Sequence, residues 1–139
     1  MLKKTITYTD YDGEEREEDF YFNLTESELM VMELSQEGGL KNMMQKIVRE
    51  KNRPKMIEIF QKMIRMSYGE KSPDGRRFMK SDAITEAFTQ TPAYDKLFVE
   101  LATNEDSAID FIRGIIPPEM AEMAEKAKTE TPKVEATVE

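Results

Sequence analysis

The chain has 139 residues, 35% of them charged, and a formal net charge of −8 at neutral pH. It contains neither Cys nor His. That removes disulfides, thiolate nucleophiles, the commonest metal ligands and the usual general base of neutral-pH catalysis. No apolar run reaches the ~20 residues of a membrane span. No secretory leader precedes the polar opening, so the expected setting is the cytoplasm.

Residues 1–118 read as one globular domain, a length that can bury a real core. "LKKTITYT" places Leu2, Lys4, Ile6 and Tyr8 on one side, and "REEDFYFNL" places Glu18, Phe20 and Phe22 on one side. "DYDG" between them supplies turn chemistry, so residues 2–24 predict a β-hairpin. A lone hairpin is marginal in water, so its apolar face must pack on helices or on a second copy.

In "NLTESELMVMEL", Thr25 and Glu28 form a capping box, with Leu24 and Leu29 as the matching hydrophobic staple. This helix should run to about Gln36, before Gly38–Gly39. A second helix over residues 40–51 stacks Leu40, Met43, Met44, Ile47 and Val48 on one face. Asn52 and Pro54 restart the chain as a third helix, with Gly69 as its left-handed stop. "EKSPDGRRFMKS" reads as a turn-rich connection. Ser81, Thr91–Pro92 and Asn104 then cap three further helices, the last ending at Pro117–Pro118. The fold class is therefore α+β, mainly α: one hairpin followed by five or six short helices. Residues 119–139 read as an acidic tail, a frayed helix at most to 128 and disordered beyond.

Charge is blocked along the chain. Residues 1–39 carry 3 basic and 11 acidic side chains, residues 40–80 carry 12 and 4, and residues 81–139 carry 5 and 13. The basic middle could draw nucleic acid, but Phe60 and Tyr68 lie away from Lys62 and Arg65, so no stacking platform interleaves with charge. Neutralisation between blocks is the favoured reading. Templates for chemistry fail too. No G-x-S-x-G elbow or phosphate loop occurs, and in "YDGEEREED" Gly13 comes too early for a calcium loop. The expectation is a non-enzymatic protein with no catalytic residue, cofactor or metal.

What stands out is apolar surface. Eight of 11 methionines fall between Met30 and Met79. On a helical wheel of residues 54–68, Lys55, Glu58, Lys62 and Arg65 share one face. The apolar arc opposite covers roughly 200°, where packing on one core needs about 100°. Methionine-lined helical faces adapt to partner helices of varied sequence. The candidate partner-binding set is Leu40, Met43, Met44, Ile47, Met56, Ile59, Met63 and Met66. It would take a partner helix or the seam of a homo-oligomer.

"YTDYDGEEREEDFYFNLTESEL", with the stretch from "YGEKSPDGRRF" through "KSDAITEAFTQTPAYDKLFVELATNEDSAIDFIRGIIP", resembles a family of small proteins from tailed phages and prophages of Gram-positive bacteria, the tail assembly chaperones. The likeness covers roughly residues 1–118. It implies a helical protein that binds hydrophobic helical segments of the tape measure protein in the host cytoplasm and is absent from the finished virion. Such families often also make a longer frameshifted form. The rival readings are a ring-forming head–tail connector or tail completion subunit, and a small nucleic-acid-binding regulator using the basic 40–80 segment.

Overall fold

The N-terminal alternation forms the hairpin it predicts. The computed structural model describes residues 1–31 and 53–118, with side chains from Ile57 onward in the second stretch. Strand β1 (Leu2–Thr9) pairs antiparallel with β2 (Glu15–Phe22) along its whole length, from Leu2↔Phe22 to Thr9↔Glu15. Asp10 organises the turn between them. Its carboxylate accepts hydrogen bonds from the Asp12 and Glu14 N–H groups at 2.9 Å each and from Arg16 Nε at 2.5 Å. Arg16, then these backbone donors, hold the Asp10 carboxyl below its usual range. Gly13 supplies the φ of 86° that closes the loop.

The sheet is larger than the sequence suggests. Its order is β1-β2-β3-β4, with β3 at Tyr68–Lys71 and β4 at Phe78–Met79. The stretch expected to be a turn-rich connection is thus a second small hairpin, closed by Gly75 at φ 75° and by the Asp74 carboxylate. Gly69 is not a left-handed helix stop either; it is a β3 residue paired with Tyr21. It is glycine for want of room: a Cβ there would lie 2.7 Å from the Phe78 ring and 2.9 Å from the Met79 carbonyl oxygen.

Five helices are described: α1 (Glu26–Val31), α2 (Arg53–Ser67), α3 (Asp82–Thr89), α4 (Pro92–Thr103) and α5 (Glu105–Ile115). The expected caps are in place. Thr25 and Glu28 exchange hydrogen bonds as a capping box. Ser81, Thr91 and Asn104 accept from the N–H groups of Ile84, Tyr94 and Ser107. The α+β, mainly α class therefore holds. The predicted 40–51 helix, the end of the first helix beyond Val31 and the 119–139 tail lie outside the described residues.

Helices cover the inner face of the sheet. Ile6, Tyr8 and Phe22 join Leu97, Leu101, Phe111 and Ile112 in one buried cluster. Phe88 is the aromatic hub: it stacks on Tyr68 at 4.1 Å and 11°, and meets Phe20, Phe22 and Tyr94 at 5.2–5.8 Å. Burial, then the neighbouring Glu70 and Glu18 carboxylates, push the Tyr68 hydroxyl up to about 12. At the edge of the bundle Gly114 approaches β1 so closely that a Cβ would lie 2.9 Å from Leu2 Cδ1.

Two stability predictions follow from these contacts. Phe88→Ala should cost about 3–5 kcal/mol in urea denaturation, because four aromatic neighbours lose one ring. Gly69→Ala should lower stability by about 1–3 kcal/mol, because the Met79 carbonyl is backbone and cannot swing aside.

Candidate partner-binding surface

Placement of the exposed apolar residues begins at a junction. The N–H groups of Asn23 and Leu24, where β2 leaves the sheet, donate to Ser67 O at 2.8 Å and Ile115 O at 2.7 Å. These are C-terminal carbonyls of α2 and α5, which have no partner within their own helices. Beside them the Lys80 ammonium donates to Asn23 O at 2.6 Å, to Met66 O at 2.9 Å and to Glu28 Oε2 at 2.8 Å. A cation at a helix C-terminus is also favoured by the helix dipole. One side chain therefore fixes the start of α1 beside the end of α2. Burial pulls the Glu28 carboxyl upward, but the hydrogen bonds from Lys80 and Thr25 outweigh it and leave the value lowered.

Along α2 the wide apolar arc divides. Phe60, Met63, Ile64 and Ser67 are buried and span about 100° of the wheel, the width one core contact requires. Met63 is only 2% exposed. Ile57, 41% exposed, sits on one rim of that arc. Met66, 37% exposed, sits on the other rim, about 180° from Ile57. Ile59 is half-buried against the core beside Met66. Between the rims runs a charged back carrying Glu58, Gln61, Lys62 and Arg65, with Arg65 paired to Glu86 at 2.7 Å. The surplus arc is thus two narrow rims, not one spare face.

The sequence-predicted set fares accordingly. Leu40, Met43, Met44 and Ile47 lie outside the described residues. Met56 belongs to α2, but its side chain is outside the described set. Met63 is core, Ile59 is largely core, and Met66 is accessible. The exposed Met30 (61%) and Val31 (85%) were not in the set. The signal for them was present, since Leu29 is the staple residue and its two successors turn away from it. Both follow Glu28, which Lys80 links to the Met66 carbonyl.

Among the described residues no group of three or more acidic side chains could hold a metal ion, and no helix is long and apolar enough to cross a membrane. Among the described residues the accessible features are apolar rims, charge and strand edges. A family model described as phage tail assembly chaperone matches residues 1–139. The chain belongs to that family. The match runs through residues 119–139, which the resemblance in sequence had left out. No curated protein and no solved structure matches the chain. Membership gives this family chain a role in phage tail assembly and an interaction with tail proteins.

Removing the junction tests it. Lys80→Met should cost about 2 kcal/mol, because two carbonyls and a carboxylate lose their donor. Glu28 has a lowered folded value, so its contribution is complete above the reference value of 4.5 and vanishes as pH falls through the folded one. Stability measured against pH should therefore fall less steeply on the acid side in Glu28→Gln than in the parent chain.

Proposed function

We propose that this chain is a non-enzymatic chaperone that holds hydrophobic helical segments of the tape measure protein, from a tailed phage or prophage, while the tail is assembled in the host cytoplasm. The chain then leaves, and the mature virion does not contain it. The observation that carries this reading is the family match over the whole chain. Physical features support it. A long amphipathic helical protein aggregates unless its apolar stripe is covered. A holder needs forgiving apolar contacts, charge for solubility and no chemistry. Methionines supply the first, and the net charge of −8 the second.

In this reading the partner helix lies against Met66 and Ile57 at the rims of α2, together with the Leu40, Met43, Met44, Ile47 face and Met56. The core residues Met63 and Ile59 support α2 from beneath. Release is served by narrow rims, because small apolar contacts hold a helix with moderate affinity.

The test is co-expression with the tape measure protein, followed by pull-down and sizing. The partner should be soluble only when this chain is present. The pair Ile57→Asp and Met66→Asp should abolish the rescue while leaving the melting temperature within a few degrees. Met63→Asp should instead unfold the chain, losing about 3 kcal/mol or more, because it buries an unpaired carboxylate. Recovery of the chain from purified virions as a discrete ring would overturn this reading in favour of a connector or tail completion subunit. Tight, salt-sensitive DNA binding would do so in favour of a regulator.

A further inference from the structure

Strand β2 is paired on one side along its whole length but on the other only at its end. Tyr21 and Phe22 face Gly69 and Tyr68, and Asn23 donates to Ser67. From Asp19 back to Glu15 no strand among the described residues is paired on that side, although Lys71 of β3 shares the lining of one cleft with Asp19. Beyond Gly69, β3 is paired only on its other side, with β4 through Glu70↔Met79 and Lys71↔Phe78. A cleft of about 410 Å3 lies between β2 and β3, and Asp19, Phe20, Tyr68 and Lys71 are among the residues lining it.

The polarity of this edge follows from the pairing. In an antiparallel strand the N–H and C=O of one residue point the same way, and the direction alternates. Tyr21 and Asn23 point toward β3, so Asp19, Glu17 and Glu15 point their backbone groups into the open side. Their carboxylates do not block it. Thr5 Oγ1 donates to Asp19 at 2.6 Å and Thr7 Oγ1 to Glu17 at 3.4 Å, which draws both acids toward β1 on the side away from the open edge.

We infer that the edge of β2 left unpaired among the described residues accepts an extended peptide segment as an added strand, with Lys or Arg at alternate positions facing Glu15, Glu17 and Asp19. Charge selects this occupant. A second copy pairing through the same edge would set Glu17 against Glu17 and Glu15 against Asp19, and like charges directly opposite are destabilising. An alternating basic strand meets one carboxylate at each outward position and gains the backbone hydrogen bonds of strand addition. This inference stands apart from the chaperone reading, which concerns helices and apolar rims.

The experiment is fluorescence anisotropy on the full chain with a labelled peptide of alternating Lys and Val, at low and moderate salt. Binding should weaken as salt rises. A peptide of alternating Glu and Val should not bind, nor should the Lys peptide with Pro at the pairing positions. Glu17→Pro removes one outward N–H that β1 does not use, and should abolish binding with the circular dichroism unchanged. Glu15→Lys with Glu17→Lys keeps the backbone intact. It should weaken the Lys peptide about tenfold or more and transfer preference to the Glu peptide. Absence of Lys-peptide binding at low salt would overturn the inference. So would equal binding of the Pro-interrupted peptide, which would reduce the site to unspecific charge.

Discussion

The structure turns on where two helix ends are satisfied. An α-helix leaves its last carbonyls unpaired, and burying them without donors is costly. Here α2 and α5 both end against the two residues at which β2 leaves the sheet, and Asn23 and Leu24 supply the donors. The Lys80 ammonium supplies the rest and adds α1 through Glu28. Because α2 is pinned at its end, its roll about its own axis is set. Phe60, Met63 and Ile64 go down into the core and the charged residues face out. The orientation of the apolar rims follows from the burial of that face together with the hydrogen bonding at the helix end.

The aromatic cluster makes that arrangement worth forming. A two-stranded ribbon cannot bury Tyr8, Phe20 and Phe22 by itself. Phe88, arriving from α3 far along the chain, bridges Phe20 and Phe22 of β2 to Tyr68 at the start of β3. Tyr68 is also the residue at which α2 becomes a strand. Helix, strand and aromatic core thus meet at one residue, and there the chain changes secondary structure without a loop.

Much of this was legible in the sequence, and the gaps have physical reasons. Caps are local, so Thr25, Ser81, Thr91 and Asn104 announce themselves through short side chains followed by helix formers. The β1–β2 alternation is long enough to be unambiguous. The β3–β4 hairpin is not, because strands of four and two residues carry no period, and Tyr68 continues the apolar pattern of the preceding helix. Gly69 misled for a related reason. A glycine after a helix usually marks a left-handed cap, whereas here it clears space for the Phe78 ring. Within the candidate partner set, a wheel measures the width of the apolar arc on α2 but not what covers it. Met63 and Met66 are equivalent in composition and three residues apart, yet one is sealed in the core and the other is accessible.

The proposed function assigns a division of labour on α2, with its buried centre holding the fold and its rims taking a tail protein. A photo-reactive amino acid placed in turn at positions 57, 66 and 99, in cells making the tape measure protein, tests this most directly. Val99 is 50% exposed on α4 and serves as the comparison. The account requires adducts with the tape measure protein from 57 and 66 and none from 99. Adducts from 99 alone, or none with that protein from either rim of α2, would contradict it.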